Sequence, residues 1–228
     1  MKNKSYIGIS FIILVFGIIF IPKIINRIKN DDVTQIDRLN TPGQSETSED
    51  LLIKIGKAPK FSLINQNGET ITNKNYDGKV YLVEFFFSTC PTICPIMNKN
   101  MVELQNHFEK EKDFGIVSVT INPAYDTSDV LKEHAMHLGV KNQNWNFLTG
   151  DKQYIYDLAN KGFSIFAGEN KDSDGGFEHS GLFALVDKNG NIRSRKDNFG
   201  NPIVYYDGIE QEGIQALKQD IKVLLDEK

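Results

Sequence analysis

Two cysteines sit four positions apart, in Cys90-Pro91-Thr92-Ile93-Cys94, and the chain has no others. A lone pair makes no disulfide framework, but cysteines this close point to redox chemistry or metal binding. The β-forming run Val80 to Phe87 stops just before them, and a helical pattern begins just after. A helix N-terminus presents free N–H groups and the positive end of the helix dipole, so one or both thiols should have a depressed pKa. Pro91 and Pro95 stiffen this turn, where a proline removes no intrahelical donor. Residues four apart share a helix face, so the two sulfurs can close a disulfide or grip one metal ion. Thiolates are soft ligands that select Cu(I), zinc or iron–sulfur clusters. Two of them leave a Cu(II) or zinc site incomplete, which calls for a third ligand.

The chain has four histidines. His107 lies roughly three helical turns past the cysteines, too far to join them; it reads as a surface or internally satisfied side chain. His134 and His137 stand three apart on a predicted helix beside Glu133 and Met136. That spacing allows a weak surface metal site, although exposed histidines at helical spacing are common. His179 lies in Gly175-Gly176-Phe177-Glu178-His179-Ser180-Gly181, just before an apolar run at Leu182. The glycines permit movement there, and a histidine so placed serves either as a ligand or as an ordinary loop side chain.

The surrounding pattern predicts the elements that hold these residues. Phe61 to Ile64 and Thr70 to Ile71, joined through Asn65 to Gly68, read as a hairpin. Val80 to Phe87 reads as a strand covered on both faces. A helix follows to about Lys112, with Met97, Met101, Leu104 and Phe108 facing inward. Gly115 to Ile121 is a second buried strand, so the unit is a strand–helix–strand crossover with parallel pairing. Helices are expected over 127–138 and 151–161, a strand over Leu182 to Val186, and an Asn189-Gly190 hairpin into Ile192. Residues 208–226 close the chain as an amphipathic helix, with Ile209, Ile214, Leu217, Ile221, Leu224 and Leu225 inward. This is an α/β chain with the plan of a thioredoxin-like fold plus an N-terminal hairpin extension. In such folds the loop before the strand at Leu182 faces the cysteine turn, which makes His179 the favoured third ligand. Glu84 lies six residues before Cys90, where thioredoxins bury an acid that relays protons. It reads either as a buried carboxyl with a raised pKa or as an edge glutamate facing solvent.

Residues 6–21 carry no charge, and Pro22 to Ile25 lengthens this apolar stretch toward the ~17–20 residues that a membrane-crossing helix needs. Phe20-Ile21-Pro22 offers no small-residue cleavage site, and no cysteine ends the run. Residues 1–29 are therefore expected to be an uncleaved, single-pass anchor. Residues 30–56 are polar, with the stretch Asn40 to Ser48, as a tether would be, and 57–228 form the domain. The first thirty residues hold five basic side chains and no acid; the rest carry 21 basic and 30 acidic, a net of −9. A surface of that sign repels phosphate backbones, so no nucleic-acid partner is expected.

With these residues in view, the chain resembles the Sco/SenC family of copper-binding assembly factors for cytochrome c oxidase. Phe86 to Pro95 is similar to that family's Cys-Pro-x-x-Cys-Pro motif. Val119-Thr120-Ile121-Asn122-Pro123-Ala124-Tyr125-Asp126-Thr127 resembles its Ser-x-Asp-Pro-x-x-Asp-Thr segment. Leu148-Thr149-Gly150 and the stretch from His179-Ser180 through Phe183–Val186, Asp187 and Gly190 follow in the same order. Together these span about residues 56–226. The chain departs at Thr92 and Asn122, where many members carry Asp; neither is a ligand position. The resemblance implies Cu(I) or Cu(II) held by Cys90, Cys94 and His179. It also implies delivery of copper to the dinuclear centre of an oxidase subunit, or reduction of that subunit's cysteines before metallation. Other copper chaperones and thioredoxin-like reductants are further expected partners. Such work suits a domain on the extracytoplasmic, periplasmic side of a bacterial cell membrane.

The competing reading is a thiol–disulfide oxidoreductase using Cys90 and Cys94 without metal. Thioredoxins keep two residues between their cysteines and a proline before the strand equivalent to Leu182. This chain has three residues between its cysteines and Glu178-His179-Ser180 before that strand, which favours metal. A peroxidase-like sensor lacks an arginine beside the nucleophile. A structural disulfide across one turn would close too short a loop to stabilise much.

Overall fold

Seven consecutive residues of one strand, Val80–Phe86, are buried. A strand without an exposed face must lie inside a sheet covered on both sides, and the rest of the domain is arranged around it. The computed structural model describes residues 14–16, 21–22, 52–197 and 199–227. The expected anchor and tether lie almost entirely outside the described residues, among which no helix is long and apolar enough to cross a membrane.

In chain order the elements are β1 (Leu52–Lys57), β2 (Ser62–Asn65), β3 (Thr70–Thr72), β4 (Val80–Phe86), α1 (Cys94–His107), β5 (Phe114–Thr120) and α2 (Ser128–Leu138). Then come β6 (Trp145–Thr149), α3 (Lys152–Asp157), β7 (Ala167–Glu169), β8 (Phe177–His179), β9 (Leu182–Val186), β10 (Asn191–Arg195), β11 (Tyr206–Asp207) and α4 (Gln211–Asp226). The main sheet runs β1-β10-β9-β4-β5-β6-β2-β3, with β11 beside β9. β4 pairs parallel with β5, as the crossover requires, and antiparallel with β9. The order β10-β9-β4-β5, with α1 between β4 and β5, α2 after β5 and α4 following the last strand, is a thioredoxin-like core. β6 and the β2–β3 hairpin widen it on one side and β1 on the other. β7 and β8 form a separate two-stranded ribbon.

Most of the expected elements are present, and the differences have local causes. α1 ends at His107 rather than near Lys112, because Phe108 turns inward to meet Phe114, with ring centroids 5.0 Å apart. α4 starts at Gln211 rather than Gly208. Before it, the Asp207 carboxylate accepts the N–H groups of Ile209 and Glu210 and holds a turn. Leu52–Lys57 overlaps the stretch read as tether, yet it forms β1 against β10. Its tie is the buried Arg193 guanidinium, which donates to the Leu52 carbonyl at 2.8 Å. β6 and the β7–β8 ribbon were not expected as strands; their short, mixed sequences carry no clear two-residue alternation.

Candidate metal centre

Cys94 opens α1, and Cys90 sits in the turn that leads to it. No side chain caps this helix start and no acid lies in its first turn. The backbone N–H groups of Thr92 and Cys94 at this helix start favour the Cys90 thiolate. The Cys90 N–H donates to the Phe87 carbonyl at 3.2 Å, curling the chain as it leaves the strand region. Both cysteines are free thiols, 8% and 2% exposed.

His179 reaches them from the other side. It is not in a loop, as its glycine-rich surroundings suggest, but is the last residue of β8, paired with Ala167 of β7. Ser180 N–H then donates to the Phe166 carbonyl at 3.1 Å. Glycine makes the approach possible. Gly175 has φ +83°, a left-handed conformation, and a Cβ there would fall 2.9 Å from the Phe87 ring. The loop between β7 and β8 thus lies directly on Phe87 and near Pro91. The Phe87 ring meets those of Phe177 at 5.3 Å and His179 at 5.8 Å, walling the site with aromatic faces.

The donor atoms of Cys90, Cys94 and His179 all lie within 4.8 Å of one another, the one such cluster among the described residues. Cys94 Sγ and His179 Nε2 are 3.1 Å apart. His179 Nδ1 lies 3.2 Å from the Ser180 carbonyl. A carbonyl can only accept, so Nδ1 bears a proton there, and Nε2 is the ring nitrogen turned toward the sulfurs. Thr92 Oγ1 lies 3.6 Å from Cys90 Sγ. A cavity of about 430 Å³ opens beside the cluster, lined by Cys90, Thr92, Phe177 and His179, with Asp172 and Glu178 at its acidic side.

The two thiols are electrostatically unequal. The hydrogen bond from Cys94 pulls the pKa of Cys90 down to about 3 against the penalty of burial, with help from His179 and backbone N–H groups. Cys94 is pushed far up, because it keeps the proton it shares with Cys90 and because it is buried. The resting pair is therefore one thiolate and one thiol. Two sulfurs and one imidazole nitrogen fit copper: they are soft to borderline donors, and three ligands fall short of the four that structural zinc takes.

Glu84 is fully buried, so the solvent-facing alternative does not hold. Ser118 Oγ donates to its Oε1 at 2.6 Å, and Trp145 Nε1 donates to that same hydroxyl at 2.9 Å. Oε2 has no partner. Burial raises its pKa to about 7, opposed by the Ser118 hydrogen bond and the charge of His179. His134 stacks on Phe86 at 5.5 Å and meets Phe147 edge-on at 5.6 Å, with Nε2 buried and unpaired. Among the described residues it forms no metal cluster with His137. His107 lies against Phe108, away from the site.

Asp126 had no role assigned from sequence, although the segment holding it stood out as a motif. It is wholly buried and accepts hydrogen bonds from Ser88 and Thr120 at the base of the cysteine turn.

A thioredoxin-like domain with a thiolate, a thiol and an imidazole converging on one point is built for soft-metal or dithiol chemistry. The family model described as SCO1/SenC matches residues 54–212, and the chain belongs to that family. A SCO1 protein homolog of Bacillus subtilis is 31% identical over 164 residues, covering 71% of this chain and 79% of the relative. The structure of BsSco, described as a member of the Sco family of cytochrome c oxidase assembly proteins, superposes with a TM-score of 0.64 at 28% identity. It covers 77% of this chain and 97% of that one. Bradyrhizobium japonicum ScoI, solved with copper bound, shares the fold at a TM-score of 0.55 and 23% identity, covering 72% and 98%.

Proposed function

We propose that this protein is a copper chaperone that binds one copper ion through Cys90, Cys94 and His179. Its task would be assembly of the dinuclear copper centre of cytochrome c oxidase. The observation that carries the reading is the convergence of three soft or borderline donors within 4.8 Å. Family membership supports it, as do a copper-bound family member and one described as an oxidase assembly protein. Copper here is cargo. The Cys90 thiolate would take it up without first losing a proton, Cys94 would release its proton on ligation, and His179 would offer Nε2 as the third donor. The copper-bearing oxidase subunit is the proposed recipient, with other copper chaperones or thioredoxin-like reductants upstream. Residues 1–29 would tether the domain to the cell membrane with the site on its extracytoplasmic side.

A second reading has its own observation. A low-pKa cysteine beside a protonated one is the arrangement for disulfide reduction. Cys90 would attack a partner disulfide, and Cys94 would then displace the partner thiol. The site would end as a Cys90–Cys94 disulfide and the partner as a dithiol.

Copper titration of the purified full-length chain, read by absorption and EPR, separates these. One ion per chain with a sulfur-to-copper charge-transfer band, lost in His179→Ala, is the expected result. Unchanged binding in that variant would remove His179 as a ligand. No copper uptake together with reduction of insulin disulfides would establish the oxidoreductase instead.

A further inference from the structure

The segment Val119 to Thr127 resembles a family motif, yet none of its residues belongs to the donor cluster. Its buried acid explains why it is there. β4 and β5 end side by side, with Phe86 opposite Thr120. The chain after β5 folds back, the Asp126 N–H donating to the Asn122 carbonyl at 2.9 Å, and this sets the Asp126 carboxylate under the turn that leaves β4. Oδ2 accepts from the Ser88 N–H at 3.1 Å. The Ser88 hydroxyl donates to Oδ1, and the Thr120 hydroxyl donates to Oδ2.

Three features make this more than ordinary packing. Both donors of Ser88, main chain and side chain, end on this one carboxylate, and Ser88 stands two residues before Cys90. Asp126 is entirely buried, yet among the described residues it forms no ion pair. A buried carboxylate is costly unless its oxygens are satisfied, and here two of its three donors belong to the cysteine turn. The third, from Thr120, fixes the acid to the sheet. The arrangement links rigid strand ends to the start of the Cys90–Cys94 turn. The Cys90 N–H bond to the Phe87 carbonyl adds a second tie on the Cys90 side.

We infer that Asp126 is a positioning residue that clamps the cysteine turn through Ser88 and so sets where Cys90 stands relative to Cys94 and His179. It acts as a hydrogen-bond acceptor, not through its charge. The copper arm of the test below rests on the proposed copper function; the exchange arm does not.

The experiment compares wild type with Asp126→Ala, Asp126→Asn and Ser88→Ala, all full-length, metal-free and reduced. Asparagine retains an oxygen for the Ser88 N–H and is the conservative rescue. Ser88→Ala removes one donor at a half-buried position and keeps the test open if Asp126→Ala fails to fold. Amide hydrogen exchange should show roughly tenfold or greater loss of protection over residues 87–93 in Asp126→Ala, a smaller loss in Ser88→Ala and near-native protection in Asp126→Asn. Peptides from α4 should stay unchanged. Competition for Cu(I) against a bathocuproine chelator should then show copper held at least about tenfold more weakly by Asp126→Ala, with Asp126→Asn close to wild type. Unchanged exchange over 87–93 overturns the clamp, and so does a loosened turn with undiminished copper affinity. Asparagine behaving like alanine in both arms overturns the acceptor role in favour of charge. If the wild-type chain takes up no copper, the copper reading fails, and the exchange arm alone decides the clamp.

Discussion

Cys94 Sγ and His179 Nε2 are 3.1 Å apart although 85 positions separate them in the chain. The contact joins the first turn of α1 to the end of the β7–β8 ribbon. Cys90, by contrast, is tied close to Cys94 by the three residues between them, in the turn that precedes α1. The donor set is thus two local ligands and one delivered by tertiary structure.

The thiol pair should titrate asymmetrically. Iodoacetamide should modify Cys90 first, at a rate nearly independent of pH from about 5 to 8, since its pKa is held down near 3 by the Cys94 hydrogen bond. Cys94→Ala removes that donor, so the Cys90 rate should acquire a titration step displaced toward the ordinary thiol range. Rates at several pH values, with the modified residue located by mass spectrometry, check this. A wild-type step already near that range would rule the inequality out.

Glu84 should make the domain less stable as pH rises. Its folded pKa of about 7 stands above the ordinary value of 4.5. Between those two values the unfolded chain has lost the proton and the folded chain still holds it. Stability contributed by the protonated carboxyl is complete below the lower value and is lost as pH rises through the upper one, up to ~3 kcal/mol. Urea unfolding from pH 4 to 8, in a Cys90→Ala/Cys94→Ala background that removes the thiol contributions, should show this decline and its absence on adding Glu84→Gln. The same Glu84→Gln change with the cysteines intact should shift the pH dependence of thiol reactivity, because the Glu84 charge acts on Cys94. Superimposable titrations would rule out that coupling.

Gly175→Ala should loosen the histidine arm. The new Cβ meets a φ of +83° and the Phe87 ring at 2.9 Å, a strain of ~1–3 kcal/mol. The loop would relieve it by lifting off Phe87, which also abuts His179. The expected outcome is weaker copper retention with little change in the urea midpoint of the core. Retention equal to wild type would show that the ribbon holds His179 without this contact.

Arg193 gives the opposite pattern. It is buried against Asp187 at 3.1 Å and Glu227 at 2.8 Å, and also donates to the Leu52 carbonyl. Arg193→Ala strands a buried carboxylate and should cost ~3–5 kcal/mol of stability. The folded fraction should bind copper as wild type does, since the ion cluster is remote from the donor atoms. Chemical denaturation and copper titration on one preparation measure both.

Local pattern made much of this protein legible. The nearly continuous apolar run at Val80 to Phe87, the helical stripe of Met97, Met101 and Leu104, and the Asn189-Gly190 turn each report on neighbours a few residues away. From them follow the β4–α1–β5 crossover, the β9–β10 hairpin and the thioredoxin-like order. The short β1, β6, β7 and β8 carry no such period, and partners elsewhere in the chain stabilise them as strands.

The amino-acid sequence by itself determined the Cys90–Cys94 pair, because only three residues separate them; the helix begins at Cys94, so the turn before it, not a shared helix face, brings the sulfurs together. It marked His179 and Glu84 only as candidates, on fold analogy and family likeness. Tertiary structure alone decided that the His179 nitrogen faces the sulfurs, that Glu84 is sealed from water, and that Asp126 holds Ser88 across 38 positions. These are contacts between segments brought together only when the sheet forms, and residue spacing has no term for that distance.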